Sequence, residues 1–195
     1  SINNIADFWE AVWEFCDVIA SKKYDAVVDD STKMPGAKWF ERAELNFAEN
    51  LLRFRDEKTA LIFKGEGQEI RKITYEELYD SVARLAKSMR ESGVRKGDRV
   101  AGFLPNMPET VIAMLATISI GAIWSSCSPD FGVKGVLDRF SQIEPKILFC
   151  ADGYYYNGKK FDSLEKVSEI IKNLPSLEKT VVVPYTEKDL DLNNK

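Results

Sequence analysis

The stretch KGDRVAGFLPNMPETVIAMLATISIGAIWSS, Lys96–Ser126, decides the fold. Gly97 and Asp98 make a turn, and the apolar run Val100–Leu104 that follows has the length and continuity of a strand covered on both faces. Pro105 breaks it. Pro108 then stands near the start of a helical segment, where its missing N–H costs nothing and its fixed φ suits the first turn. The segment from Pro108 to Gly121 is apolar almost throughout, and Ala122–Ser126 returns to strand character. Strand, helix and strand joined by short turns is the repeating unit of a parallel sheet, because only a crossover helix returns the chain to the starting edge.

The same alternation continues in both directions. Downstream, GVLDRFSQI (Gly135–Ile143) reads as a helix stopped before Pro145, and KILFCAD (Lys146–Asp152) reads as a strand. DSLEKVSEIIKNL (Asp162–Leu174) reads as a helix with Asp162 and Glu165 in capping-box positions, and KTVVVPY (Lys179–Tyr185) as the last strand. Upstream, TYEELYDSVARLAKSMRESG (Thr74–Gly93) carries a capping box at Thr74 and Glu77, an apolar face through Leu78, Val82, Leu85 and Met89, and Gly93 as its C-terminal cap. Before it, TALIFKGEGQEIRKI predicts two short strands joined at Gly65/Gly67, a hairpin with a loop of about three to five residues. The expected architecture is α/β, with helices on both faces of a mostly parallel sheet and right-handed crossovers.

The first 56 residues differ in character. Ile5, Phe8, Trp9, Val12, Trp13 and Ile19 recur at helical spacing, and their aromatic face is expected to be core. STKMPGAKW (Ser31–Trp39) reads as an extended link, and AELNFAENLLRF (Ala43–Phe54) as a second helix with Leu45, Ala48, Leu51 and Leu52 in its stripe. Residues 1–56 form an N-terminal helical segment, and 57–195 the first part of a larger α/β domain. The final TEKDLDLNNK (Thr186–Lys195) is polar and aperiodic, as a loop would be.

Composition narrows the function. The chain has 195 residues, 45% hydrophobic and 30% charged, with net charge −4 and its basic residues scattered among acidic ones, which argues against nucleic acid. The longest uncharged apolar run, Thr110–Trp124, is too short to span a bilayer, so no membrane partner is expected. The N-terminus lacks a basic n-region and cleavage site, so a cytoplasmic location is expected. Cys16, Cys127 and Cys150 are too scattered for a disulfide framework or a metal site and read as buried free thiols. No histidine is present, so neither a Ser-His-Asp nor a Cys-His unit can be built from this chain. No catalytic residue and no metal ligand is assigned.

In open parallel sheets, ligands bind beyond the carboxyl ends of the strands, here the loops starting at Pro105, Ser125, Asp152 and Tyr185. SSCSPDFGVKG (Ser125–Gly135) contains Asp130-Phe131-Gly132, but a protein-kinase reading needs His-Arg-Asp elsewhere, and there is no histidine. That stretch reads as a strand-to-helix corner, with Ser128 or Asp130 capping the following helix. Arg139 and Asp138 on that helix read as a polar contact that fixes its position. YYYNGKKF (Tyr154–Phe161) admits two readings. Its tyrosines can stack on a base while Lys159 and Lys160 meet phosphates, or it is a solvated surface turn with snorkelling lysines.

Taken together, KITYEELYDSVARLAKSMRESGVRKGDRVAGFLPNMPETVIAMLATISIGAIWSSCSPDFG resembles the opening of an adenylate-forming acyl-CoA synthetase. The Thr-Tyr-x-Glu-Leu helix start, the Gly-Val-x-x-Gly-Asp-x-Val turn, the Leu-Pro-Asn-x-Pro-Glu loop and the Gly-Ala-x-Trp-Ser strand follow in that family's order. WFERAELNFAENLL is similar to the N-terminal segment of the acetyl-CoA synthetase-like branch. GAIWSSCSPDFGVKGVLDRFSQIEPKILF with YNGK resembles the acetoacetate-activating members more than the acetate-activating ones.

The resemblance implies a ligase that joins a carboxylate to AMP from ATP, assisted by Mg2+, and then transfers the acyl group to coenzyme A. It also implies that this chain stops before the ATP phosphate loop, so that its partners are acetoacetate, ATP, coenzyme A and the rest of the same protein, and that the fragment alone is inactive. In that branch, a basic segment after the strand matching KILFC contacts the nucleotide end of coenzyme A. Tyr156, Asn157, Gly158 and Lys159 occupy the place, Lys159 matching a basic position and Tyr156 departing from another. An acetyl-CoA or other short-chain acyl-CoA synthetase, and a noncatalytic binding module, stay open as alternatives.

Overall fold

The computed structural model, which describes residues 3–187, falls into two units with the break between Arg53 and Phe54. Lys188–Lys195, most of the polar terminal stretch, lies outside the described residues.

The first unit contains α1 (Ile5–Phe15), β1 (Ala26–Val28), β2 (Trp39–Glu41) and α2 (Phe47–Leu51), with β1 and β2 antiparallel. Asn4 caps α1 through its side chain. Trp13 packs against Tyr24 at 5.0 Å and Phe40 at 4.9 Å between ring centres. The aromatic face of α1 is nevertheless not a core: no α1 residue is buried, and Phe8 and Trp9 stay exposed, because two three-residue strands offer too little surface to cover it. The link before β2 is folded instead of extended. Asp29 accepts from the Lys33 ammonium at 2.7 Å and the Lys38 amide at 2.8 Å, which together hold its carboxyl below the usual carboxylate range. The second predicted helix shrinks to five residues because Asn46, taken for a helical position, caps it by accepting from Ala48 and Glu49 N–H.

The second unit runs β3 (Thr59–Phe63), β4 (Arg71–Thr74), α3 (Tyr75–Glu91), β5 (Arg99–Phe103), α4 (Pro108–Ser119), β6 (Ile123–Cys127), α5 (Val133–Ile143) and β7 (Ile147–Ala151). It continues through β8 (Gly153–Tyr156), β9 (Lys159–Asp162), α6 (Leu164–Lys172) and β10 (Lys179–Val183). The caps of α3 form as its sequence requires. Thr74 and Glu77 exchange side chain-to-backbone bonds, and past the C-terminus Gly93, at φ +88°, lets Gly93 N–H reach Arg90 and Val94 N–H reach Met89. The hairpin of β3 and β4 is antiparallel as expected, but its connection runs from Lys64 to Ile70, longer than predicted.

The sheet is parallel, in the order β10-β7-β5-β6. One face is sealed by Ala101, Phe103, Leu148 and Cys150 against Val136 and Phe140 of α5 and Val167 and Ile170 of α6. Right-handed crossovers require α4 on the other face, since β5 to β6 moves one way across the sheet and β6 to β7 the other. There α3 and α4 pack together. The chain reverses direction across the sheet between β5 and β7, the place at whose carboxyl ends open sheets of this kind bind ligands.

Two capping expectations fail. α5 begins after Gly132 with no side-chain cap, so neither Ser128 nor Asp130 holds it. α6 is preceded by Ser163, and Asp162 instead closes a local turn onto Leu164 N–H, because Asp162 is still paired with Gly153 in the strand ladder. Arg139 does not engage Asp138; its guanidinium donates to Gly135 C=O at 2.7 Å and lies 4.8 Å from the Phe131 ring centre. Cys127 and Cys150 are buried as expected, whereas Cys16 is exposed.

Candidate functional site

The carboxyl ends of the parallel strands place four segments on one edge: residues 104–107, 128–132, 152–163 and 184–187. The second begins at Ser128, since Ser125 and Ser126 belong to β6.

Tyr154–Phe161 is neither a loop nor a simple turn. β8 and β9 form an antiparallel hairpin with Tyr154 opposite Phe161, Tyr155 opposite Lys160 and Tyr156 opposite Lys159. Asn157 and Gly158, at φ +51° and +72°, form its two-residue tip. An Asn-Gly pair is the favoured sequence for a tight hairpin turn with two left-handed residues, a signal that the tyrosine and lysine runs around it obscure.

The ladder sorts the side chains by face, because alternate strand residues point to opposite sides. Tyr154, Tyr156, Lys159 and Phe161 share one face, and Tyr155 and Lys160 the other. The two lysines therefore do not converge on one phosphate. Lys160 pairs with Glu187 at 2.9 Å, which raises its pKa. Among the described residues, Lys159 has no ion-pair partner and is exposed. Nor do the three tyrosines form one platform. Tyr154 stacks on Phe161 at 5.1 Å, Tyr155 meets Tyr185 edge-on at 5.9 Å, and Tyr156 alone is 68% exposed. Burial raises the pKa of Tyr154, with help from the charge of Asp130 in the neighbouring corner.

Two carboxylates hold the hairpin from opposite ends. At its base, buried Asp152 accepts from the N–H groups of Tyr185 at 2.6 Å, Thr186 at 3.0 Å and Glu187 at 2.8 Å, and from the Thr186 hydroxyl at 2.7 Å. Burial alone would raise its pKa, but the Thr186 hydroxyl and the amides outweigh burial and hold the carboxyl below its ordinary value. At the tip, the Glu66 carboxylate accepts from Asn157 N–H at 3.1 Å and from Gly158 N–H at 2.7 Å. Neither carboxylate stood out in the sequence, since each partner set is distant in the chain.

The arrangement supplies one unpaired cation, an exposed aromatic ring and a braced turn. It supplies no nucleophile with a base, and among the described residues no grouping of His, Cys, Asp or Glu able to hold a metal ion. An exposed ammonium without an ion-pair partner is chemically suited to an anionic group, and the described residues do not suit magnesium.

Residues 47–194 match the family described as "AMP-binding enzyme", and residues 1–51 that described as "Acetyl-coenzyme A synthetase N-terminus". The chain is 50% identical to an acetoacetyl-CoA synthetase of Macaca fascicularis, over 99% of this chain and 30% of that protein. It is 51% identical to one of Rhizobium meliloti, over 95% of this chain and 28% of that protein. Acetoacetyl-CoA synthetase from Streptomyces lividans superposes with a TM-score of 0.87 at 45% identity, covering 97% of this chain and 30% of that structure. The chain thus spans somewhat under a third of the length of these relatives. With the sheet, the cap sequence and both ends of the chain in agreement, the chain belongs to the AMP-binding enzyme family, as a portion that matches the N-terminal part of acetoacetyl-CoA synthetases.

Proposed function

We propose that this chain is the N-terminal portion of an ATP-dependent acid–thiol ligase that activates acetoacetate as an acyl-adenylate and transfers it to coenzyme A. The observation that carries the reading is about 50% identity along nearly the whole chain to proteins named acetoacetyl-CoA synthetase in animals and a bacterium. In this reading residues 1–56 are the N-terminal segment, 57–195 open the adenylate-forming domain, and the protein works in the cytoplasm. ATP and Mg2+ are held by other parts of the polypeptide, and the chain by itself turns nothing over. No helix among the described residues is long and apolar enough to cross a membrane.

Within this reading the β8–β9 hairpin contacts the nucleotide end of coenzyme A. Lys159 meets phosphate as a point charge, Tyr156 offers its ring, and Asn157-Gly158 sets the turn that presents them. When bound, coenzyme A supplies the thiol that displaces AMP; the residues of this chain fix its far end and take no part in bond-making. A second acid is favoured by one relative. A malonamoyl-CoA synthetase of Penicillium aethiopicum is 44% identical over 94% of this chain, so a closely similar portion serves a protein named for a different acyl group.

The test uses the full-length protein, with thioester formation from ATP and coenzyme A measured on acetoacetate, acetate, propionate and malonamate. Turnover is expected to favour acetoacetate, and no turnover of it refutes the assignment. Lys159→Ala is expected to raise KM for coenzyme A about five- to tenfold, the worth of one charged contact, while ATP–pyrophosphate exchange stays near wild type. Equal damage to both half-reactions refutes the placement of coenzyme A.

A further inference from the structure

The tip of the β8–β9 hairpin meets a second turn. Gly65 C=O accepts from Gln68 N–H at 3.2 Å, and Gly67 sits at φ +67°, the left-handed third position that a type II turn assigns to glycine. Glu66 is the second residue of that turn. Its two oxygens take one N–H each from Asn157 and Gly158, so the carboxylate straddles the hairpin tip.

The turn that carries Glu66 is itself anchored. A Cβ on Gly65 would lie 2.7 Å from Gln68 Oε1 and 2.8 Å from the Tyr185 hydroxyl, so the bare glycine lets both side-chain ends close over it. Tyr185 also packs on Phe63 of β3 and Tyr155 of β8, and its N–H is fixed by Asp152. A chain of contacts thus runs from the β3–β4 connection through Tyr185 to the hairpin base, and Glu66 closes it at the tip. An unbraced two-stranded hairpin is marginal in water. This one is exposed along β9 and projects from the sheet edge.

We propose that Glu66 is a positioning residue for the coenzyme A contact, bracing the Asn157-Gly158 turn so that the adjacent Lys159 and Tyr156 hold a fixed place. The inference rests on the coenzyme A reading of the hairpin and adds to it a residue that touches neither ligand nor reacting atoms. Glu66 lies 91 positions from Asn157, so no local motif contains both. The brace lowers the ordering that coenzyme A must impose on the hairpin, and its loss is felt as affinity for coenzyme A.

The experiment compares Glu66→Ala, Glu66→Gln, Lys159→Ala and the Glu66→Ala/Lys159→Ala double variant in the full-length protein. Readouts are KM for coenzyme A, kcat, ATP–pyrophosphate exchange, and hydrogen exchange at the amides of Asn157 and Gly158. Glu66→Ala is expected to raise KM for coenzyme A about fivefold with exchange activity within twofold, since one charged acceptor serving two amides is lost. The two amides should exchange faster, Glu66→Gln should fall between, and Glu66→Ala should do little more once Lys159 is gone. A normal KM in Glu66→Ala beside a raised KM in Lys159→Ala overturns the brace and leaves the coenzyme A reading standing. A normal KM in both overturns that reading and the inference with it. Unchanged amide exchange in Glu66→Ala shows the contact is not made, and a fall in KM makes Glu66 a competitor for the turn; either result overturns the inference.

Discussion

Asp152 is the buried charge on which the carboxyl edge of the sheet depends most, so its removal is the most informative perturbation outside the hairpin tip. Replacing it with alanine leaves three backbone N–H groups and one hydroxyl of Tyr185–Glu187 without their acceptor. Each bond to a charged acceptor is worth about 1.5–3 kcal/mol, but water reaches the surface segment once it lifts, so the local loss is about 3 kcal/mol. Hydrogen exchange followed by mass spectrometry reads this directly: amides 185–187 should exchange about 100-fold faster, with little change at buried β7 and β5. Asp152→Asn keeps one acceptor oxygen and turns an NH2 toward the donors, so it should fall between the two. The pH dependence has a definite sign. The folded carboxyl titrates below its ordinary value of 3.8, so its contribution is complete above that value and is lost as pH falls through the folded pKa. Protection at 185–187, corrected for intrinsic exchange, should therefore hold from pH 8 to 5 and collapse only in stronger acid. Unchanged exchange in Asp152→Ala, or loss of protection already near pH 6, refutes the reasoning.

Two further perturbations separate rigid from yielding surroundings. Gly153→Ala should cost more than Gly102→Ala. A methyl group at Gly153 would drive into the backbone carbonyl of Phe161, whereas at Gly102 it meets the Trp124 ring at 2.5 Å, a side chain able to rotate aside at about 1–3 kcal/mol. Urea midpoints of the two variants check the order. Alkylation at pH 8 should label Cys16 in the native protein and spare the other two cysteines until denaturant is added. Burial, with the charge of Asp152, pushes the Cys150 thiol up to about 12, and burial raises Cys127 against the opposing effect of Arg139. Peptide mapping of the labelled sites checks it, and native labelling of Cys150 would contradict its burial.

The parallel sheet was legible because Val100–Leu104, Ile147–Ala151 and Val181–Val183 are apolar runs and each helix has an apolar stripe or a strong cap, as Thr74, Glu77, Gly93 and Pro108 illustrate. Strands of three residues, such as β1 and β2, carry no period to read. α2 was overextended because Asn46 serves a cap better than a helix interior, a local competition that the leucine spacing hides. The hairpin was misread for a different reason: its Tyr-Tyr-Tyr and Lys-Lys runs mask the period of two, although Asn157-Gly158 announced the turn. The braces at Asp152 and Glu66 were beyond reach, since both depend on backbone amides brought near by the fold.

The order of strands also dictates an order of assembly during synthesis. β5 emerges before either neighbour, pairs first with β6, and must keep its opposite edge open until all of α5 has been made and β7 arrives; β10 follows β7. Until then the apolar edge of Val100–Phe103 is a template for any extended chain nearby. The interior position that buries β5 in the sheet therefore leaves it with one open edge during synthesis, and slowing translation between Gly132 and Lys146 lengthens the interval in which a chaperone must cover it.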